Sequence, residues 1–234
     1  MTRLNFPMSY FCRQPMPDRY KTWFSQQMIG YITSAVTPAY IFAFALGTPV
    51  FPFNLTTSGP GNKFPNSIGG TNATSMAAGL DNLLYRSASG TGIYLNGLVW
   101  SVEVEIVLSP QGNGDNSYLV VAPLATSLNT GYSNFDTMAA GPNSQQITCV
   151  AGVRNTLKRV YKLSSIAGLS DTAYAAQYGT SSFSGAANPG TIILLQVFQQ
   201  TTDNANLSAS CPIEINLKWH VELFNRADTA LLDT

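Results

Sequence analysis

The chain has 234 residues, enough for one large β domain or two small ones, and 45% of them are hydrophobic, enough for a core. Only 10% are charged, against roughly 25% in an ordinary soluble domain, so a surface of Ser, Thr, Asn, Gln, Gly and Pro does little to hold copies apart. Twelve Lys and Arg balance twelve Asp and Glu, which excludes any case for nucleic-acid binding made from bulk charge.

Residues 1–21 read as an extended arm, with Pro7, Pro15 and Pro17, four basic residues (Arg3, Arg13, Arg19 and Lys21) and one acid, Asp18. A first strand is expected near 22–34, carrying Trp23, Phe24, Met28, Ile29, Tyr31 and Ile32, and a second over 39–46. The apolar run from Ala39 to Phe53 is broken by Gly47, Pro49 and Pro52, so no span of the ~18 apolar residues a membrane helix needs is present. Residues 47–75 form a long Gly-, Pro- and Asn-rich loop. A short helix is expected at 76–86, with Met76, Leu80, Leu83 and Leu84 on one face.

The clearest period-2 run is 94–108: Leu98, Trp100, Val102, Val104, Ile106 and Leu108 share one parity, and Ser101, Glu103 and Glu105 the other. A turn at 110–116 leads to a strand at 117–124, then a loop over 125–144, a short strand at 145–151, a basic strand at 156–163 and a further loop over 164–189. Residues 191–200 are an apolar strand. Residues 212–224 alternate again, Ile213, Ile215, Leu217, Trp219, Val221 and Leu223 against Glu214, Asn216, Lys218, His220 and Glu222. About eight strands, no internal repeat and no βα alternation suit an all-β, antiparallel jelly roll. An immunoglobulin-like sandwich is the runner-up, disfavoured by the long loops and the missing Cys–Trp–Cys signature.

Chemistry-bearing constellations are sparse. The N-terminus lacks the apolar core and cleavage site of a signal peptide, so Cys12, Cys149 and Cys211 read as reduced thiols, and three Asn-X-Ser/Thr triplets as accidents of composition. The acids Asp115, Asp136, Asp171 and Asp203 stand singly, and no metal or cofactor is assigned. Glu103 and Glu105 are neighbours on one strand face, an arrangement a glycosidase could use and a solvated face or partners for nearby Lys and Arg use more often; no catalytic residue is assigned. The densest basic cluster is Arg154, Lys158, Arg159 and Lys162, open to three readings: genome contact, solvated strand face or inter-subunit contact. Trp23, Trp100 and Trp219 read as core, whereas the loop aromatics Tyr132, Phe135, Tyr174, Tyr178 and Phe183 read as interface candidates.

Four segments carry a family resemblance. They are Ala39 to Phe53; Gly79-Leu-Asp-Asn-Leu-Leu-Tyr85 followed by Ile93 to Ile106; Leu157 to Gly168 followed by Tyr174, Tyr178 and Asn188-Pro189; and Ile215 to Arg226. In order and spacing the chain resembles the jelly-roll capsid proteins of small circular single-stranded DNA viruses that encode a replication initiator (CRESS-DNA viruses). The resemblance implies strands B to I near 22–34, 39–46, 94–108, 117–123, 145–151, 156–163, 191–200 and 212–224, in sheets B-I-D-G and C-H-E-F. It implies a shell domain over 22–234 with no protruding domain, self-assembly into a small icosahedral shell (T=1), a single-stranded DNA genome as partner, and a virion location after cytosolic synthesis, with nuclear import open. The chain departs from the pattern in its arm, whose four basic residues can neutralise little of a genome. The competing expectations are a jelly-roll carbohydrate- or receptor-binding module and a β-sandwich glycoside hydrolase.

Overall fold

A computed structural model describes residues 17–32, 39–47, 49, 66–67, 93–111, 116–125, 132, 134–178, 193–203 and 211–226. The helix expected at 76–86, most of the arm including Arg3 and Arg13, Cys12, Asp115 and Phe183 lie outside these residues.

The strands are β1 (Arg19–Ile32), β2 (Ala39–Ala45), β3 (Asn66–Ser67), β4 (Tyr94–Leu108), β5 (Ser117–Ala125), β6 (Gln145–Cys149), β7 (Asn155–Lys162), β8 (Ile193–Thr201) and β9 (Cys211–Arg226). All pairings are antiparallel, and they build two sheets, β3-β1-β9-β4-β7 and β2-β8-β5-β6. Setting aside the two-residue edge strand β3, the order is the B-I-D-G and C-H-E-F of a jelly roll, as expected. Among the described residues three short helices accompany them: α1 (Phe135–Ala139), α2 (Leu163–Ile166) and α3 (Asp171–Tyr178).

β9 sits between β1 and β4 and shows why the sheets close on each other. Its alternation sends Ile213, Ile215, Leu217, Trp219 and Val221 into the core, each at most 2% exposed. Phe42 and Phe44 of β2, Leu119 and Val121 of β5 and Leu195 and Val197 of β8 meet them from the facing sheet. Trp219 is fully buried, and its Nε1 donates to the Leu46 carbonyl at 3.1 Å, so the deepest polar hydrogen is satisfied. Pro123 lies in β5 beyond the end of its pairing with β6, where a missing N–H costs no ladder bond on that side.

Four expectations are corrected. β1 begins at Arg19, because Arg19, Tyr20 and Lys21 pair with Phe224, Leu223 and Glu222 of β9, so the strand takes in the end of the expected arm. The single parity read along 94–108 breaks at a β-bulge: Val99 pairs with Val221 and Ser101 with His220, which makes Trp100 the extra residue. Trp100 is half-buried, and Trp23 is not core at all but 57% exposed, on the solvent side of β1. Finally, the loops expected over 125–144 and 164–189 contain the three helices.

Candidate genome-contact and assembly surfaces

The outer face of the five-stranded sheet is a grid set by register. Across β1, β9, β4 and β7 its rows are Trp23–His220–Ser101–Lys162, Ser25–Lys218–Glu103–Val160, Gln27–Asn216–Glu105–Lys158 and Ile29–Glu214–Val107–Thr156. Glu103 accepts from His220 Nε2 at 2.7 Å, and Lys218 Nζ stands 3.6 Å away. These contacts, the hydrogen bond first, hold the Glu103 carboxyl below its ordinary range against a smaller opposing effect of burial. Asn216 donates to Glu105 at 3.1 Å and to Glu214 at 2.8 Å. The two strand-face glutamates therefore have cross-strand partners: His220 and Lys218 for Glu103, and the amide of Asn216, in place of the expected Lys or Arg, for Glu105. A groove of about 420 Å³ runs beside these rows, lined among others by Ser25, Gln27, Glu105, Lys158 and Asn216.

The four cations around β7 do not act as one patch. Arg154 pairs with Glu214 at 3.3 Å, and Lys162 with Asp171 of α3 at 2.8 Å. Arg159 shares the parity of the buried Leu157 and Tyr161, donates to the Asn143 carbonyl at 3.0 Å and lies 5.4 Å from the Tyr161 ring centre. Among the described residues Lys158 makes no ion pair and projects outward. Of the arm cations, Arg19 pairs with Glu222 at 3.5 Å, and Lys21 faces solvent two residues before Trp23.

The interface aromatics divide. Tyr174 and Tyr178 are not loop residues: one turn apart on α3, they share a face that packs into the core, 3% and 8% exposed. The Tyr174 hydroxyl donates to the Val99 carbonyl at 3.0 Å beside the bulge, and burial pushes its ionisation far above the ordinary tyrosine range. That placement removes both from the outer surface. Tyr132 and Phe135 instead cover the outer face of the four-stranded sheet, in a small second core with Val120, Ala122, Met138 and Phe198. α1 is held there by its N-cap, Asn134, whose Oδ1 accepts from Thr137 N at 2.9 Å. Gln196, buried among the apolar residues of the first part of β8, ties the Tyr132 backbone at both ends: Tyr132 N donates to its Oε1 at 2.9 Å and its Nε2 donates to Tyr132 O at 2.7 Å.

The β6–β7 turn escaped the sequence reading. Val150 and Val153 are 48% and 52% exposed at its tip. The turn is nonetheless tightly held. Asn155 Nδ2 donates to the carbonyls of Val150 and Val153 at 3.0 and 2.8 Å, and its Oδ1 accepts from Val150 N at 3.1 Å. Asn116 accepts from Ala151 N through its side chain and from Thr202 N through its backbone, both at 2.9 Å, which links three turns at one end of the sandwich. Gly152 sits at φ 74, a conformation that favours glycine. Two valines around Gly152, with Asn155 three residues after the glycine, were the hint in the sequence. Among the described residues no group of three or more His, Cys, Asp or Glu gathers as a metal site.

No protein-family model matches the sequence, and no curated protein matches it. Solved structures do. The chain is similar to the empty head of turnip yellow mosaic virus at 9% identity, with 92% of this chain and 86% of that one covered and a TM-score of 0.42. It is similar to tobacco necrosis virus at 10% identity, with 91% and 100% covered and a TM-score of 0.43. It is also similar to a T=1 subviral particle of a Penaeus vannamei nodavirus capsid protein deletion mutant at 11% identity, with 88% and 98% covered and a TM-score of 0.44. The fold itself is assigned from the strand order.

Proposed function

We propose that this chain is a viral coat subunit that assembles with copies of itself into a small, closed, non-enveloped shell around a single-stranded genome. The observation that carries the reading is the pairing order. The strands β1-β9-β4-β7 and β2-β8-β5-β6 stand in the B-I-D-G and C-H-E-F order that the ordered sequence resemblance implies. The sparse charge and the rigid, apolar β6–β7 tip support it, because both favour contact between copies. The size of the subunit suits the T=1 shell of about 60 copies, closed by rotational symmetry. The single-stranded DNA genome is carried by the sequence resemblance, and the location is the virion, reached after synthesis in host cytosol.

Negative-stain imaging and mass photometry of the purified full chain test the reading, with absorbance at 260 nm and nuclease treatment reading the contents. Uniform particles with a DNase-sensitive signal are expected. A monomer at every salt concentration and pH would overturn it, and a monomer or trimer that binds glycans would replace it with a receptor- or carbohydrate-binding module.

A further inference from the structure

Trp23 is the anomaly of the outer sheet face. It is 57% exposed in mid-strand, while Trp219 is fully buried and Trp100 is half-buried with its Nε1 bonded to Glu222 at 3.0 Å. Among the described residues the other exposed apolar side chains of that face, Ile29 and Val160, lie in different rows, and neither adjoins Trp23. A scatter of single residues is not the contiguous apolar patch a protein partner needs.

The surroundings of Trp23 are cationic and polar. Lys21 and Ser25 flank it on the same face of β1, His220 pairs with it directly, and Lys218 Nζ stands 4.9 Å from its ring centre. The two nearest carboxylates are already engaged, Glu103 by His220 and Lys218, and Glu222 by Arg19 and Trp100. Their repulsion of an incoming phosphate is therefore blunted. A groove of about 420 Å³, within the roughly 300–1,000 Å³ range of ligand-sized clefts, opens one row from Trp23 at Ser25 and Lys218; it offers hydroxyl and amide groups from Ser25, Gln27 and Asn216 and the cation of Lys158, and it also holds the carboxyls of Glu103 and Glu105, each of which accepts a hydrogen bond.

The geometry points to Trp23 as a stacking platform for an unpaired base of single-stranded nucleic acid, with Lys21 and Lys218 set for the adjoining phosphates. Exposed aromatics beside a basic track bind single strands in this way, because every base has a π face. Arg19, Lys21 and Trp23 alternate along one side of β1, so the last cations of the short arm lead into the platform. This inference rests on the genome-enclosing reading. It adds a base contact to a phosphate track that is thin by itself.

The test titrates unassembled full-length subunits into dye-labelled oligo(dT) and oligo(U), reading affinity for every variant from the anisotropy of the label and following intrinsic fluorescence in the wild type. With Trp219 buried and Trp100 half-buried, saturable quenching reports Trp23. Trp23→Phe should bind within a few-fold of wild type, and Trp23→Ala should lose roughly 5- to 100-fold in affinity. Lys21→Ala should lower the salt slope by about one. Unchanged affinity in Trp23→Ala, with its thermal unfolding intact, would overturn the inference. So would loss of particles in Trp23→Ala with oligonucleotide binding retained, which would make the ring a contact between copies. Filled wild-type particles whose subunits never quench would overturn the stacking site and leave the coat reading standing, whereas wild-type chain that forms no particles would remove the parent reading itself.

Discussion

The Gln196 side-chain amide spans the Tyr132 backbone like a strand partner, accepting from its N–H at 2.9 Å and donating to its C=O at 2.7 Å. One side chain thus supplies, from within β8, the pairing that would otherwise need another strand. It explains how Tyr132, itself in no strand, stays on the outer face of the four-stranded sheet. Gln196→Leu leaves both Tyr132 groups without these partners and should cost about 1–3 kcal/mol. Gln196→Glu keeps the acceptor, removes the donor and buries a charge, so it should cost more. Denaturant unfolding measures both, and equal stability of Gln196→Leu and wild type would show that the tie contributes nothing.

Acid should loosen the five-stranded sheet. Glu103, Glu214 and Asp171 all have carboxyls held below their ordinary range: Glu103 by the His220 hydrogen bond, Glu214 by Asn216, and Asp171 by Lys162. A carboxylate depressed in the folded state stabilises it above the unfolded pKa, and the gain is lost as pH falls through the folded value. Melting temperature should therefore hold steady near neutrality and fall below roughly pH 4. Glu103→Gln removes one titrating group and should flatten part of that fall. A profile identical to wild type below pH 4 would take Glu103 out of the account.

Assembly should depend on the β6–β7 tip without the fold depending on it. Val150→Ser and Val153→Ser remove exposed methyl groups, so thermal unfolding should shift little. In a shell the same small loss recurs at every copy, and the concentration needed for particles should rise several-fold or more. Asn155→Ala acts differently. It frees three hydrogen bonds inside the turn and should speed hydrogen exchange over 150–153 before it affects assembly. Light scattering against concentration, paired with exchange, separates the two effects.

The thiol of Cys149 should be inert in the folded chain. It is fully buried, and burial pushes its pKa up to about 11. Cys211 is 1% exposed. At pH 8 an iodoacetamide-type reagent should leave both unmodified until denaturant is added, as mass spectrometry of peptides will read. Rapid native labelling of Cys149 would mean that the end of β6 opens far more readily than its packing allows.

Alternation made the sheets legible. β9 could be read residue by residue, because a strand with one buried face repeats every two positions, and Trp219 fell on the core parity as expected. Trp23 could not be read in that way. β1 places apolar residues on both parities, Trp23 and Ile29 outward and Phe24 and Met28 inward, and the choice is made by the partner strand rather than by the segment itself. The bulge at Trp100 is invisible for a related reason, since an extra residue shows only against the strand it fails to match. α3 lay among Ser, Gly and Ala, too short for a periodic signal; its two tyrosines bury through a tertiary fit. The cations around β7 stand out as a cluster in the sequence, yet their parity and acidic neighbours divide them, and no spacing rule reveals a partner such as Glu214 some sixty positions away.

The place of β9 has a consequence for biosynthesis. Its partners β1 and β4 flank it on both sides, and Arg19 pairs with Phe224 across about 200 positions of chain. β9 leaves the ribosome after every other described strand, so until then the larger sheet has two halves and no centre. A nascent chain would hold the facing edges of β1 and β4 open, ready to pair with any stray strand. Emergence of β9 thus acts as a timer, and a subunit gains a finished wall to offer its neighbours only once synthesis has delivered that strand.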